Sequence, residues 1–308
     1  MPGVLMRLLA ALPLGLAHVA GALLGWAMYL GSARYRRHLL DNLAAAGFGA
    51  DSGVRREAIA SAGRLLSELP ALWLRPHAEV AALVREVSGW DLVDAARAAG
   101  RGIVFLTPHH GCFEVSAQYG ASRFPMTILY RSPKQGWLAP FVRAGRARPG
   151  VRLAPADRGG VRELLAALKR HQAIGILPDQ VPGTGEGQWA EFFGKPAYTM
   201  TLGPRLAARK DSVCLIAFAK RLPGGRGYAL SIRPLPEARE GESGARRLNR
   251  ALEDLIRECP GQYLWGYNRY KTPAGARPEG PGPAGRADQT NPTGPANKAK
   301  PTGSARPA

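Results

Sequence analysis

The N-terminal segment carries a long apolar stretch. Between Arg7 and Arg34 no residue is formally charged, and the run reads LLAALPLGLAHVAGALLGWAMYLGSA. As a helix rising about 1.5 Å per residue, it is long enough to cross a hydrocarbon layer of about 30 Å. Pro13 and His18 weaken this pattern, although membrane helices tolerate proline. The pattern predicts a membrane anchor over residues 1–33, with a cleaved signal peptide or a helix lying in one leaflet as alternatives.

Helical and strand patterns follow each other along the rest of the chain. From Arg37 to about Ala98, apolar residues recur at three- and four-residue spacing, which predicts helices. After Gly102 the short apolar runs predict strands: IVFLT, MTILYR, AIGILPD, VCLIAFA and YALSIRP. Helical periodicity returns in VRELLAALKRH and ARRLNRALEDLIREC. Strands interleaved with helices predict an α/β domain over residues 34–271, with a mixed, mostly parallel sheet flanked by helices.

Composition separates the C-terminal segment from this domain. Residues 272–308 are almost wholly Pro, Gly, Ala, Thr, Asn and scattered charges, so they cannot bury enough apolar surface to offset their ordering entropy. We therefore predict a disordered tail. The chain has 3 cysteines and no CxxC pair, which argues against a disulfide framework and favours a reducing compartment.

Basic residues exceed acidic ones and flank the anchor unequally. The net charge of +19 arises from 42 Lys and Arg against 23 Asp and Glu, and it favours anionic partners such as phospholipids, an acidic carrier protein or nucleic acid. A coding bias toward arginine would produce part of the same excess. Arg34, Arg36 and Arg37 follow the anchor whereas only Arg7 precedes it, so the positive-inside rule predicts that the main domain is cytoplasmic.

A polar turn after the first predicted strand holds the candidate catalytic residues. In IVFLTPHHGCFEVSAQYG, a buried strand leads through His109 to the start of a helix at Glu114. Open α/β sheets commonly place their sites at such turns. An imidazole and a carboxylate at this spacing can meet, and the carboxylate would then orient the ring of a general base. Gly111 between them would let backbone N–H groups face a developing oxyanion.

Other chemistry is compatible with the same turn. A histidine near a strand end is commonly structural, and His109, His110, Cys112 and Glu114 are all possible metal ligands. Adjacent histidines seldom converge on one ion and no second cluster supplies further ligands, so a metal site is disfavoured. A serine hydrolase is also disfavoured, because the sequence contains no G-x-S-x-G motif.

Five blocks resemble the lipid A biosynthesis acyltransferases, the lauroyl and myristoyl transferases within the lysophospholipid acyltransferase superfamily. TPHHGCFE is similar to the family's H-x-G-x-aromatic-E block. LYR ends in Arg131, which falls on the conserved arginine that follows the next strand in the family. ILPDQVPGTGEGQWAEFFGKPAYT resembles the D-Q and F-F-G-x-P-A-x-T blocks. QYLWGYNRYK resembles the family's ending, and RRHLLDNLAAAGF its early helix. The first block departs from typical members, which carry Leu, Asn and Trp at the positions of His110, Cys112 and Phe113.

The resemblance implies a glycerol-phosphate-acyltransferase-like fold and a catalytic pair of His109 and Glu114. The substrate-binding positions that it implies are Gly111, Arg131, Asp179, Gln180, Phe193, Gly194 and Thr199. Arg131 is expected to contact a phosphate or to form an ordinary ion pair. Asp179 is expected to order a loop at the acyl site or to cap a turn. Tyr263 and Trp265 are predicted to be core or membrane-interface aromatics.

The activity implied by the resemblance is transfer of an acyl chain from an acyl carrier protein thioester to a hydroxyl of a lipid A precursor. It implies the bacterial inner membrane, no cofactor, no metal and no nucleic acid. Alternatives are an acyltransferase acting on a lysophospholipid, an ornithine lipid or a glycolipid, and a non-enzymatic basic membrane-binding protein. If residues 1–31 only tether the enzyme, their removal should raise the KM for lipid much more than it lowers kcat.

Overall fold

The computed structural model describes residues 2–133, 136 and 139–276. Its helices are α1 Pro2–Ala11, α2 Leu14–Gly31, α3 Ala33–Ala45, α4 Ser52–Leu74, α5 His77–Ala82, α6 Trp90–Ala98, α7 Phe113–Ala121, α8 Ala139–Arg146, α9 Arg158–Lys169, α10 Leu202–Ala207 and α11 Gly244–Glu258. Its strands are β1 Val84–Ser88, β2 Gly102–Leu106, β3 Met126–Tyr130, β4 Val151–Pro155, β5 Ala173–Ile176, β6 Gly187–Phe192, β7 Lys195–Met200, β8 Ser212–Arg221 and β9 Tyr228–Pro234.

A seven-stranded sheet organises the described part of the chain, in the order β1-β9-β8-β2-β5-β3-β4. Neighbouring strands run parallel except β8 and β9, which are antiparallel. Helices α9, α10 and α11 contribute to the apolar cluster on one face of this sheet, and α5, α6 and α7 contribute to the cluster on the other. The central strands β2 and β5 are buried throughout, as their continuous apolar sequences require. The predicted mixed, mostly parallel sheet flanked by helices is therefore confirmed.

Four strands, β1, β4, β6 and β7, were not foreseen in the sequence. Strand β1 lies inside the segment predicted to be helical, and it forms the sheet edge by parallel pairing with β9. Its sequence VREVS is short, charged and largely exposed, so the pairing partner rather than local pattern decides its conformation. Strand β4 is the opposite edge. Strands β6 and β7 form a separate two-stranded hairpin, and both turn residues, Phe193 and Gly194, have positive φ angles of 47° and 73°.

The charge-free N-terminal run forms two helices rather than one. Helix α1 ends before Pro13, and α2 continues for 18 residues with a mean hydropathy of 1.4, long and apolar enough to cross a membrane. Arg75 fixes the break, because its guanidinium donates to the carbonyl of Ala10 at 2.8 Å and to that of Leu12 at 2.6 Å. These bonds satisfy carbonyl groups at the end of α1. The run therefore bends at Pro13 while remaining attached to the domain.

Helix α2 packs closely against α4. A Cβ atom on Gly63 would lie 1.9 Å from the carbonyl oxygen of Gly21, and one on Gly25 would lie 2.0 Å from that of Ile59, so glycine permits this approach. The opposite face of α2 leaves large apolar side chains exposed: Leu16, Val19, Leu23 and Leu30. The segment predicted as an anchor thus has one face packed on the domain and one face available to lipid.

The C-terminal part of the domain returns to the N-terminal helices. Asn42 donates through its side-chain amide to the carbonyl of Trp265 at 2.6 Å and to that of Tyr267 at 2.7 Å. Tyr263 and Trp265 are buried, and Trp265 packs on Phe193. These aromatics are core residues. The predicted tail over 272–308 lies outside the described residues from position 277 onward.

Candidate active site

The candidate residues come from the carboxyl ends of three neighbouring parallel strands. Strands β2 and β5 pair in register, with Leu106 opposite Ile176, so the turns that follow them meet at one edge of the sheet. His109 follows β2, and Asp179 and Gln180 follow β5. Arg131 follows β3, the next strand after β5. Open sheets bind ligands outside the carboxyl ends of their strands, so this edge is the natural position for a site.

The imidazole of His109 is held between two residues of the β5 turn. Its Nδ1 lies 2.8 Å from Oδ1 of Asp179, and its backbone N–H donates to Oδ2 of the same carboxylate at 2.9 Å. Its Nε2 lies 3.1 Å from Nε2 of Gln180. Phe113 contacts the ring, with the two centroids 4.7 Å apart. The carboxylate makes Nδ1 the protonated nitrogen of the neutral ring and leaves the lone pair on Nε2.

Asp179 remains ionised in this position although it is buried. Burial alone would raise the pKa of its carboxyl group, but the charge of His109 and the hydrogen bonds from the His109 ring and backbone lower it below the ordinary value. The side chain is 2% exposed. An ionised, buried carboxylate against Nδ1 orients the ring and stabilises an imidazolium when one forms.

Glu114 lies at the start of α7, and its partners are not histidine. Arg146 donates through Nε to Oε1 of Glu114 at 2.9 Å and through Nη2 to the same oxygen. Trp73 donates through Nε1 to Oε2 at 3.4 Å. Among the described residues no direct hydrogen bond joins Glu114 to His109. The carboxylate that orients the ring in this structure is therefore Asp179, because Glu114 turns toward α4 and α8.

Arg146, which is half-buried, pairs with the buried Glu114. Burial alone would lower the pKa of Arg146, but the Glu114 carboxylate raises it above the ordinary value. The guanidinium also lies over the ring of Tyr130, with Cζ 5.7 Å from the centroid. Glu114 is thus a buried carboxylate paired with Arg146 at one wall of the site.

The backbone of the turn that follows β2 is already hydrogen-bonded within the protein. The N–H of Gly111 donates to the carbonyl of Gln262 at 2.9 Å, and that of Cys112 donates to the carbonyl of Ala219 at 2.8 Å. Gly111 has a φ of 60°, and a Cβ atom there would lie 2.1 Å from the Ala219 oxygen. Glycine is therefore needed for close packing against β8. Because the N–H of Gly111 already donates to the Gln262 carbonyl, it is not available in this structure to bind the oxyanion as expected.

The other polar residues of the turn are structural. His110 is fully buried and stacks on Phe218 with centroids 3.9 Å apart. Burial lowers the pKa of His110 to about 4, although the carbonyl of Cys259 accepts a hydrogen bond from it. Burial likewise raises the pKa of Cys112 well above its ordinary value. Over the described ranges, no group of three or more His, Cys, Asp or Glu side chains could hold a metal ion.

A cavity of about 770 Å³ opens beside His109. Glu114, Arg131 and Gln180 also line it, so four of the predicted site residues share one chamber. The rest of the wall is mostly apolar, and much of it comes from the N-terminal helices and α4: Met6, Leu9, Leu12, Ala17, Ala20, Leu24, Leu65, Leu66, Leu69, Pro70 and Trp73. Helices α1 and α2 therefore form part of the site.

Three predicted substrate-binding residues lie elsewhere. Phe193 and Gly194 form the tip of the β6–β7 hairpin, where the N–H of Phe193 donates to Glu253 at 3.0 Å. Thr199 is fully buried, and its hydroxyl accepts from Arg269 at 2.7 Å and from Asn249 at 2.9 Å. None of the three lines the cavity. In this structure Phe193 and Gly194 form the turn of the hairpin, and Thr199 belongs to the core.

Two residues at the site were missed in the sequence. Trp73 and Arg146 hold Glu114, yet they are separated from it by 41 and 32 positions. Trp73 belongs to an ordinary amphipathic helix, and Arg146 is one of several arginines in RAGRARPG. Local pattern distinguishes neither residue from its neighbours, so only the packing of α4 and α8 on α7 identifies them.

Comparisons with known proteins agree with this architecture. The family model for bacterial lipid A biosynthesis acyltransferases matches residues 3–272. The lipid A biosynthesis lauroyltransferase of Escherichia coli K12 is 29% identical over 227 residues, covering 71% of each chain. The lipid A biosynthesis palmitoleoyltransferase of the same organism is 28% identical over 215 residues, covering 69% of each chain.

A relative outside lipid A biosynthesis also matches. The phosphatidylinositol mannoside acyltransferase of Mycobacterium tuberculosis is 28% identical over 200 residues, covering 63% of this chain and 61% of its own. Its name describes another acyltransferase with a different lipid acceptor. The family model nonetheless covers this chain from α1 to the end of the domain. The chain therefore belongs to the bacterial lipid A biosynthesis acyltransferase family.

Proposed function

We propose that this protein transfers a fatty acyl chain from an acyl carrier protein thioester to a hydroxyl of a lipid A precursor. The observation that carries the proposal is His109, whose ring lines a mostly apolar cavity while Asp179 holds Nδ1 at 2.8 Å. The match to the lipid A family supports the reaction class and the acceptor. The relatives named as lauroyl and palmitoleoyl transferases support a fatty acyl donor.

His109 would act as the general base. Nε2 removes the proton of the acceptor hydroxyl while that oxygen attacks the thioester carbonyl. When the tetrahedral intermediate collapses, the carbon–sulfur bond breaks and the imidazolium returns its proton to the leaving thiolate. An ester and a free thiol result, so no covalent enzyme intermediate and no cofactor is needed. Asp179 stabilises the imidazolium between these two proton transfers.

The developing oxyanion needs donors other than Gly111. Helix α7 begins at Phe113, and the first N–H groups of a helix have no acceptor within that helix. They also lie at the positive end of the helix dipole. We assign the N–H groups of Phe113 and Glu114 to the oxyanion, since both residues line the cavity beside His109.

Glu114 and two arginines would set the electrostatics of the cavity. The Glu114 carboxylate adds negative potential near the imidazolium, and it pairs with Arg146 at a wall that is mostly apolar. Arg131 is exposed at the cavity and offers a guanidinium to a phosphate of the donor or acceptor. The catalytic contribution of Glu114 stays a prediction for mutagenesis.

The cavity has a size and lining suited to an acyl chain. Its volume of about 770 Å³ falls in the range of roughly 300–1,000 Å³ that is usual for small-molecule sites. Because α1 and α2 contribute wall residues and expose apolar side chains on their other face, lipid can approach the cavity from a bilayer. We infer attachment to the bacterial inner membrane, with Arg34, Arg36 and Arg37 placing the domain on the cytoplasmic side.

The test is acyl transfer by the full-length protein in lipid nanodiscs. Lauroyl and palmitoleoyl thioesters of acyl carrier protein, and the matching coenzyme A thioesters, would be supplied with a tetra-acylated lipid A precursor. His109→Ala should lower kcat by about 10²–10⁴-fold, the usual contribution of a general base. His38→Ala is the matched control, because His38 is a half-buried histidine on α3 outside the cavity. Product formation that survives His109→Ala would refute the base assignment.

A second acceptor class has a specific observation in its favour. The mycobacterial relative is named for acylation of a phosphatidylinositol mannoside. A phosphorylated glycolipid with free hydroxyls is common to both acceptor classes, and Arg131 would serve either one. Competition between the lipid A precursor and phosphatidylinositol mannoside in one reaction decides between them. Preferential acylation of the mannoside would reassign the acceptor while leaving the chemistry of His109 unchanged.

A further inference from the structure

Gln180 occupies the position that a substrate hydroxyl would need. Its amide nitrogen lies 3.1 Å from Nε2 of His109, and both side chains belong to residues that line the cavity. Because Nδ1–H donates a hydrogen bond to the Asp179 carboxylate, Nε2 carries the lone pair of the neutral ring, and the Gln180 amide donates to it. A ring nitrogen has one lone pair in the ring plane. A hydroxyl cannot be deprotonated by Nε2 while Gln180 donates to it.

The surrounding backbone is anchored, so the exchange concerns the Gln180 side chain alone. On one side, the Asp179 carboxylate binds both the ring and the backbone N–H of His109. On the other side, the N–H of Val181 donates to the hydroxyl of Tyr267 at 3.0 Å. The Gln180 side chain is half-buried and lines the cavity.

We propose that Gln180 is a positioning residue whose amide stands in for the acceptor hydroxyl in the free enzyme and yields its place when the acceptor binds. This inference rests on the proposed function, because it assigns a role at the same base. In the free enzyme the amide satisfies Nε2 and excludes a competing donor. On acceptor binding the side chain rotates away, and the hydroxyl takes over the hydrogen bond to Nε2. Gln180 then makes no contact that the transition state requires.

Removing the donor should favour acceptor binding without slowing the chemical step. Gln180→Met keeps the length of the side chain but cannot donate a hydrogen bond. We expect the KM for the acceptor to fall by about two- to tenfold, the size of one net hydrogen bond, with kcat nearly unchanged. Gln188→Met is the matched control, since Gln188 is an exposed glutamine on β6 outside the cavity. It should change neither constant.

A spectroscopic measurement tests the same contact without any substrate. The full-length protein with ¹⁵N-labelled histidine is placed in nanodiscs at a pH where the ring is neutral. The Nε2 signal of His109 is identified by its loss in His109→Gln. In Gln180→Met this signal should move downfield, toward that of an imidazole nitrogen without a donor, whereas Gln188→Met should leave it in place. Gln180→Ala should shift the Nε2 signal in the same direction, and it replaces Gln180→Met in this test if the methionine variant does not fold.

Two results would overturn the inference. An Nε2 signal that is unchanged in both Gln180 variants would show that no amide donates to it in the free enzyme. A fall in kcat of about 100-fold with an unchanged acceptor KM would show instead that Gln180 stabilises the transition state. If neither acceptor class is acylated, the proposed function fails, but the histidine spectrum still decides whether Gln180 caps the base.

Discussion

Glu68→Gln tests whether the N-terminal helices are part of the folded domain. Glu68 on α4 is fully buried, and its carboxylate accepts from Arg221 Nε at 2.8 Å and Nη2 at 2.9 Å. His18 of α2 places its Nε2 2.7 Å from the same carboxylate. Arg221 ends β8, so one carboxylate joins α2, α4 and the sheet. The glutamine variant keeps the shape of the side chain and removes its charge.

The expected loss of stability can be worked out from the pKa of Glu68. Burial alone would raise this pKa, but the charge of Arg221 and hydrogen bonds from His18 and Arg221 lower it from 4.5 to about 2. At about 1.36 kcal/mol per unit of pKa, a difference of about 2.5 corresponds to about 3 kcal/mol. Removing one member of a buried ion pair typically costs about 3–5 kcal/mol, because its partner is left uncompensated. Both estimates give a loss of about 3 kcal/mol or slightly more.

The assay is thermal unfolding of the full-length protein at one scan rate, followed from pH 7 downward. A loss of about 3 kcal/mol should lower Tm by roughly 6–12 °C, at about 2–4 °C per kcal/mol for a domain of this size. The pKa of Glu68 is depressed in the folded state, so its stabilisation is present above pH 4.5 and is lost as pH falls from about 4.5 to about 2. The difference in Tm between wild type and Glu68→Gln should shrink over that interval.

Glu258→Gln provides the matched control. Glu258 pairs with Arg233 through both oxygens, but the two side chains are 47% and 44% exposed. Exposed pairs contribute about 0–1 kcal/mol, so this variant should melt close to wild type. If Glu68→Gln melts within about 2 °C of Glu258→Gln at pH 7, the buried pair of Glu68 and Arg221 does not stabilise the fold.

The remaining predictions concern the cavity wall, the two termini and charge. Arg146→Met leaves the buried Glu114 carboxylate unpaired and should lower kcat/KM by at least about tenfold, whereas a surface substitution such as Arg233→Met should not. Deleting residues 1–31 removes part of the cavity wall, so we expect kcat to fall together with a rise in KM. A rise in the KM for lipid alone would instead show that these residues only tether the enzyme to the membrane. Deleting residues 277–308 should change neither activity nor Tm, because their composition can bury little, and a Tm lowered by several degrees would contradict this. If the charge of +19 attracts an acidic carrier protein, kcat/KM for the carrier-bound donor should fall as the salt concentration rises. If kcat/KM does not change with salt, the charge reflects amino-acid composition rather than attraction of the donor.

Several elements could be predicted from local pattern because local pattern suffices to specify them. Strands β2 and β5 are buried on both faces, and such strands must be continuously apolar, as IVFL and AIGI are. Helix α11 alternates apolar and charged residues at helical spacing, which allows one face to be buried. Strand β1 has no such pattern, since it sits exposed at the sheet edge and depends on β9 for its hydrogen bonds. The buried elements could therefore be predicted from the sequence pattern, whereas the exposed edge strand β1 could not.

The candidate site also combines residues that the sequence could indicate with contacts that depend on the fold. His109 could be predicted because strand, polar turn and helix are contiguous in the chain, and Asp179 and Gln180 because their block accompanies it in the family pattern. The sequence suggested Glu114 as the partner of the ring, since it lies five positions from His109. The structure brings Asp179 to Nδ1 from 70 positions away. Sequence proximity is a poor guide here, because parallel pairing of β2 with β5 brings distant turns together.

What the sequence by itself determined is the list of chemical groups, the sheet class and the apolar character of the N-terminal run, all of which depend on residues near one another in the chain. What only the tertiary structure decided is which groups meet. Trp73 and Arg146 reach Glu114 through helix packing, and α1 and α2 became walls of the cavity through close contact with α4. Contacts between distant segments depend on the packing of whole elements, and no local pattern records which elements will be neighbours.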